Sequence, residues 1–251
     1  SSQNYGIGVF LGIIIPLLIL VLSDFLDSRI KNKSDLDKAT KIPLAGIIGH
    51  NDKTSNLAVF SNQKSSVAES FRSIRAGLDF FTASKKNESR VFLVTSSISG
   101  EGKTFCSINL ASILSLGGKK TVLIGVDLRK PKIYMDFDLT NQVGLTNYLI
   151  GEVESNEIIQ NTSYDSLDMI SAGPVPPNPS ELILSDRFQD LIQDLREQYD
   201  FIVLDTPPIG VVADAFELMK FSDWNLYVVR YSFTRKPLMN YVNDSYKNGS
   251  V

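Results

Sequence analysis

Cysteine and histidine each occur once in this chain, as Cys106 and His50. A single cysteine excludes an intrachain disulfide framework and a multi-cysteine zinc cluster. A single histidine leaves no material for a His-rich metal site, and His50 sits in a polar stretch with no ligand partner nearby in sequence. Excess positive charge is also missing. Lys and Arg total 25 against 28 Asp and Glu, a formal net charge of −3, which argues against nucleic-acid binding through bulk charge. Internal repeats and long low-complexity segments are absent. Charge of either sign is missing altogether from residues 1–23, so every charged residue lies in the remainder of the chain.

That charge-free start contains Tyr5–Leu22, 18 residues of mostly Ile, Leu, Val and Phe. As a helix it would span about 27 Å, close to the hydrocarbon thickness of a bilayer. Pro16 lies inside it, which a membrane helix tolerates better than a soluble one. A buried core helix is the competing reading, and a signal peptide is disfavoured because no positive region precedes the apolar run. Arg29, Lys31 and Lys33 follow, so the positive-inside rule puts the C-terminal side in the cytoplasm, a reducing compartment that suits the lone cysteine. The expected organisation is a membrane helix and its exit over residues 1–27, a juxtamembrane segment over 28–64 and an α/β domain over 65–251. The start at SSQN, without Met, is expected of a piece of a longer chain.

Within the juxtamembrane segment, Ser34-Asp35-Leu36-Asp37 predicts a helix start with Ser34 as N-cap, and residues 50–66 read as a polar linker. Val67, Phe71, Ile74, Leu78 and Phe81 then recur at helical spacing, predicting a helix over 66–81. Glu69 lies opposite that stripe, with Arg72 and Arg75 stepping round one flank. By spacing alone these three charges describe a solvated face. From residue 90 onward apolar runs alternate with helical patterns. Strands are predicted at Val91–Thr95, Thr121–Val126, Leu167–Ser171, Phe201–Leu204 and Asn225–Val229, and helices near 104–116, 180–197 and 213–221. The fold class expected is α/β, a mostly parallel sheet with helices on both faces.

The strongest chemical signal is Ser97-Ile-Ser-Gly-Glu-Gly-Lys-Thr104, between the strand VFLVT and the apolar helix FCSINLASIL. This is the setting of a phosphate-binding loop. Gly100 and Gly102 let the backbone turn its amides toward phosphate oxygens, and the helix N-terminus adds its dipole. Lys103 reaches for the β- and γ-phosphates, and the Thr104 hydroxyl suits Mg²⁺. Ser99, Gly100, Glu101, Gly102, Lys103, Thr104 and Phe105 form the expected nucleotide-binding set. Ser97 stands where the strict pattern has Gly or Ala. Two strand-end acids complete the site: Asp205 after Phe201-Ile-Val-Leu, and Asp127 in Val126-Asp-Leu-Arg-Lys-Pro131. Asp214 either caps the next helix or joins the site. Cys106, on the helix after the loop, reads as core.

Taken together, the charge-free span, Glu69-x-x-Arg72-x-x-Arg75, TSSISGEGKT, VDLRKP, AGPVPPNPSELI at 172–183 and FIVLDTPP resemble the bacterial tyrosine kinases of the capsular and exopolysaccharide co-polymerase family. The resemblance covers nearly the whole chain. It implies a P-loop NTPase-like kinase domain using ATP and Mg²⁺, with Lys103, Asp127 and Asp205 catalytic and Thr104, Asp127 and Asp205 at the metal. It implies ring-like self-association through Glu69, Arg72 and Arg75, and phosphorylation of C-terminal tyrosines in trans. It places the chain at the bacterial inner membrane, beside polysaccharide export machinery and a cognate tyrosine phosphatase. Two departures stand out. The family often has Asp where Gly125 stands here, and its domain normally continues past residue 251 into a further strand and a tyrosine-rich tail. The alternatives are a nucleotide-binding scaffold with little activity, and a Min/Par-type ATPase; the latter's signature lysine would fall at Ile98.

Overall fold

The computed structural model describes residues 2–81, 89–210 and 214–247. The first helix, α1, runs from Ser2 to Leu26 with Pro16 inside it. Its apolar side chains from Phe10 to Leu26, where described, are exposed. The membrane crossing expected over residues 1–27 is not met by the described residues: among them no helix is long and apolar enough to cross a membrane.

Helix α2 (Lys33–Ala39) follows. Its N-cap is Asn32 and not the expected Ser34, because the Asn32 side-chain carbonyl accepts the Asp35 amide at 2.8 Å. The expected linker at 50–66 is also corrected. It contains a short helix, α3 (Ala58–Ser61), with Ala58 and Val59 buried. The apolar Leu57-Ala-Val-Phe60 run drives that packing, and Phe60 stacks on Tyr164 with ring centroids 3.7 Å apart. Asn109 fixes the segment by accepting the Val59 amide at 2.8 Å and donating to the Asn56 carbonyl at 2.7 Å.

Helix α4 covers Ser66–Phe81 as its stripe predicts, with Val67, Phe71, Ile74 and Leu78 buried. Then come β1 (Arg90–Ser96), α5 (Lys103–Ser115), β2 (Thr121–Gly125), α6 (Leu145–Leu149), β3 (Ile159–Asn161) and β4 (Leu167–Ile170). They are followed by α7 (Pro179–Ile183), α8 (Asp186–Gln198), β5 (Phe201–Asp205), α9 (Asp214–Glu217), β6 (Trp224–Val228) and α10 (Met239–Lys247). The predicted helix over 180–197 is two helices, broken at Leu184 and Ser185. The edge strand β3, antiparallel to β4, has no counterpart in the sequence reading; three residues, two half-buried and one exposed, carry no periodic signal.

The sheet order is β3-β4-β2-β5-β1-β6, parallel apart from β3. β1, β2 and β5 are buried along almost their whole length, which is why they read as continuous apolar runs. Two apolar clusters cover the two faces. One gathers α8 side chains such as Phe188 and Leu191 against Val91, Leu93 and Leu204. The other gathers Phe71 of α4 and Ile108 and Leu110 of α5 against Phe92, Val94 and Leu123. The expected α/β class with helices on both faces is the observed one.

Candidate nucleotide site

β5 lies between β1 and β2, with Val94 and Gly125 the cross-strand partners of Asp205 on either side. The sheet order therefore delivers the loop after β1, the acid at the end of β5 and the loop after β2 to one edge. Ligands of open parallel sheets bind at this carboxyl end. A cavity of about 300 Å³ lies there, lined among others by Ser99, Gly102, Lys103, Thr104, Asp127 and Asp205.

The loop has the backbone its glycines allow. Gly100 and Gly102 take φ of +91° and +97°, where other residues are strained. Gly102 is the N-cap residue of α5 and has no side chain to compete for the first-turn amides, so these remain available to an anion. Lys103 is buried at 9% exposure. Glu101 is buried too and accepts the Ile98 amide at 2.9 Å. Ser99 and Phe105 line the cavity, whereas Glu101 is turned out of it.

Asp205 is held by two hydroxyls of α5. Thr104 Oγ1 donates to one carboxylate oxygen at 2.9 Å and Ser107 Oγ to the other at 2.9 Å. Burial raises the Asp205 carboxyl to about 6; Lys103 and the two hydroxyls oppose the rise, and Asp127 adds to it. Ser107 is a site residue the sequence reading missed. Its spacing of four from Lys103, on the sheet-facing side of α5, was the only signal. Asp127 is half-buried, and its Oδ1 accepts the amides of Arg129 and Lys130 at 3.2 and 3.1 Å. Arg129 reaches Ser180 at 2.8 Å, which joins VDLRKP to the AGPVPPNPSELI stretch.

Gly125 lines the same cavity. A Cβ added there would lie 2.9 Å from Ile133 Cγ2, so Ile133 fills the space an acid would need. Cys106 is partly buried against the second apolar cluster, and burial pushes its thiol up to about 12, which suppresses the nucleophilic thiolate. His50 is exposed, 3.7 Å from Asp52. Asp214 opens α9, but its side chain lies outside the described residues. Among the described residues no cluster of three or more His, Cys, Asp or Glu could hold a metal.

The three charges on α4 do not act alike. Arg72 pairs with Glu69 at 2.8 Å and donates to the Gln63 carbonyl at 2.6 Å. Arg75 instead donates to the Ile113 carbonyl at 2.9 Å, in the last turn of α5, where carbonyls lack helical partners and a cation is favoured.

Comparison with known proteins agrees with this geometry. Residues 89–231 match the family described as AAA domain. The chain is 43% identical over 161 residues to the putative tyrosine-protein kinase CapB of Staphylococcus aureus, covering 64% of this chain and 70% of that protein. It is 36% identical over 181 residues to the tyrosine-protein kinase YwqD of Bacillus subtilis, covering 72% and 76%. The kinase domain of the Escherichia coli tyrosine kinase Etk superposes with a TM-score of 0.73 at 28% identity, over 88% of this chain and 83% of that one. A P-loop-type parallel sheet, a phosphate loop with two strand-end acids and these relatives lead to one assignment: the chain belongs to the bacterial tyrosine-protein kinases.

Proposed function

We propose that this kinase is a membrane-anchored, ATP- and Mg²⁺-dependent autokinase serving capsular or exopolysaccharide production. The observation that carries the nucleotide chemistry is the Thr104–Asp205 hydrogen bond at 2.9 Å, at the mouth of a loop whose lysine is buried beside it. The donor set fits Mg²⁺: it is all oxygen, and a cation would offset the burial that holds the Asp205 carboxyl near 6. Thr104, Asp205 and Asp127 would hold that ion, which when bound neutralises charge on the β- and γ-phosphates.

The chain's own groups do the rest. The first-turn amides of α5 and Lys103 hold the phosphates and favour the charge that develops during transfer. Asp127 accepts the proton of the incoming tyrosine hydroxyl. Its two backbone bonds fall on Oδ1, which leaves Oδ2 for that task, whereas both oxygens of Asp205 are already engaged. Self-association falls on Glu69 and Arg72 at the exposed side of α4, with Arg75 holding α5 within its own chain.

Anchoring rests on the charge-free Tyr5–Leu22 run and the basic residues after it. It puts the domain on the cytoplasmic side of the bacterial inner membrane, with export machinery and a tyrosine phosphatase as partners. The polysaccharide role rests on the combination of motifs, from Glu69-x-x-Arg72-x-x-Arg75 to FIVLDTPP. Incubation with labelled ATP and Mg²⁺, read with anti-phosphotyrosine detection, tests the activity. Signal is expected from the parent chain and none from Lys103→Met. Undiminished phosphotyrosine in that variant refutes the site. ATP turnover without phosphotyrosine would mark an ATPase, and nucleotide binding with neither would mark a scaffold.

A further inference from the structure

The cavity at the carboxyl end of the sheet has two unlike halves. Gly102, Lys103 and Thr104 line the first, from the loop after β1. Asp127, Lys130 and Lys132 line the second, from the loop after β2. β5 stands between β1 and β2, so the two loops leave the sheet about 9–10 Å apart. The first half offers the amides and the buried lysine that suit phosphates. The second half has an apolar floor of Gly125, Pro131, Ile133 and Ala172. An aromatic ring suits that floor, and Asp127 shares the half with it.

Lys130 and Lys132 are both exposed, at the rim of this second half. The Lys130 amide donates to Asp127 Oδ1 at 3.1 Å, which ties it to the turn that carries the acid. Pro131 separates the two lysines with a fixed φ, and Lys132 immediately precedes a helical turn over Ile133–Phe137. Neither ammonium has an ion-pair or hydrogen-bond partner among the described residues. Basic side chains elsewhere are committed: Lys119 pairs with Asp200 at 3.7 Å and Lys236 with Asp35 at 2.7 Å. Arg129, next to Lys130, reaches Ser180. Asp136, the next acid along the chain, is turned to Asn56, whose side-chain amide donates to it at 2.9 Å. Two uncommitted positive charges therefore border the side of the cavity that does not hold the phosphate loop.

We propose that Lys130 and Lys132 form an anion-reading rim that selects acceptor tyrosines flanked by an acidic or already phosphorylated residue. The proposal rests on the reading of this site as a tyrosine kinase with Asp127 as proton acceptor. A tyrosine whose hydroxyl reaches Asp127 carries its sequence neighbours across the rim, because successive residues of an extended segment are only about 3.4 Å apart. A flanking carboxylate meets one ammonium. A flanking phosphotyrosine, with nearly two negative charges and three acceptor oxygens, meets both. A neutral flank leaves both lysines unpaired, and a basic flank is repelled, so discrimination comes from attraction and repulsion together. Phosphotyrosine is also what the enzyme makes. An acceptor with neighbouring tyrosines therefore becomes a better substrate after its first transfer.

The test uses the full chain in detergent with ATP and Mg²⁺, and synthetic peptides carrying one central tyrosine. Their flanks are Glu, Gln, Lys, or Gln with a single phosphotyrosine two residues from the acceptor. The parent should use the Glu peptide roughly tenfold better than the Gln peptide in kcat/KM, the scale of two exposed ion pairs. The difference should lie in KM and shrink as salt rises from about 50 to about 500 mM. In the double variant Lys130→Gln, Lys132→Gln that ratio should fall to about one to two. In Lys130→Glu, Lys132→Glu the Lys peptide should become the preferred one. Affinity of the Gln double variant for a fluorescent ADP analogue should differ from the parent's by less than about twofold. A loss of ADP affinity larger than the loss of peptide preference makes the lysines phosphate ligands and overturns the proposal. A phosphotyrosine peptide used better than the Glu peptide assigns the rim to products of earlier transfer; one used no better assigns it to acidic sequence. Equal use of the Glu and Gln peptides overturns the proposal, and so does transfer to none of them by a parent that labels itself. A parent that binds no nucleotide and forms no phosphotyrosine overturns the kinase reading of the site, and the rim with it.

Discussion

Replacing Asp205 with Asn should make the nucleotide-free protein more stable at neutral pH while abolishing Mg²⁺-dependent phosphorylation. Burial raises the Asp205 carboxyl from 3.8 to about 6. A folded-state value above the unfolded one means that the native state binds the proton more tightly. Stability from this group is therefore greatest below pH 3.8, falls as pH rises from 3.8 to about 6, and stays level above. The difference of roughly two pKa units corresponds to about 3 kcal/mol. For a chain of this size that is about 6–12 °C in Tm. Asn carries no such slope. It keeps one acceptor for the Thr104 and Ser107 hydroxyls but turns an amide donor toward the other, an offset of about 1 kcal/mol. Circular-dichroism melts of the parent and Asp205→Asn, without nucleotide or divalent cation, should diverge from pH 4.5 to 7.5, with the variant ahead at the high end. Parallel Tm profiles across that range would refute the claim that a buried, costly carboxylate is kept here for the ligand's sake.

Gly125→Asp should not recreate a better site. The new Cβ meets Ile133 at 2.9 Å, and the carboxylate would stand on the strand position paired with Asp205. A loss of about 1–3 kcal/mol from overpacking is expected, with partial recovery in Gly125→Asp combined with Ile133→Val; chemical denaturation of the two variants checks this. Arg75→Ala should lower the stability of the isolated subunit by about 1 kcal/mol through loss of the Ile113 carbonyl contact. Arg72→Ala, which breaks an exposed pair, should change subunit stability by less than about 0.5 kcal/mol and weaken self-association instead. Melts at low concentration and light scattering at high concentration separate these effects.

The phosphate loop was readable because its chemistry is contiguous. Glycines, lysine and threonine stand at adjacent positions, between an apolar strand and an apolar helix. The same holds for β1, β2 and β5, whose burial on both faces leaves apolar runs, and for the stripe of α4. Where the signal was short or ambiguous the reading slipped. Asn32 outcompetes Ser34 as N-cap because its carbonyl reaches the Asp35 amide. Ala58 and Val59 turned a polar linker into packed structure, and β3 is too short to show a period.

The sequence by itself determined which residues could bind a nucleotide, and that two strand-end acids were available to join them. Tertiary structure alone decided how they meet. The placement of β5 between β1 and β2 brings Thr104 to Asp205 across 101 residues, and the packing of residues 230–234 against the loop brings Thr234 to Glu101 across 133. The bond from Arg75 to the Ile113 carbonyl of α5 is likewise invisible in its spacing from Glu69. Local patterns are set by neighbours three or four positions apart, whereas strand order and register depend on the whole buried surface. Contacts of long sequence separation become visible only once that surface has assembled.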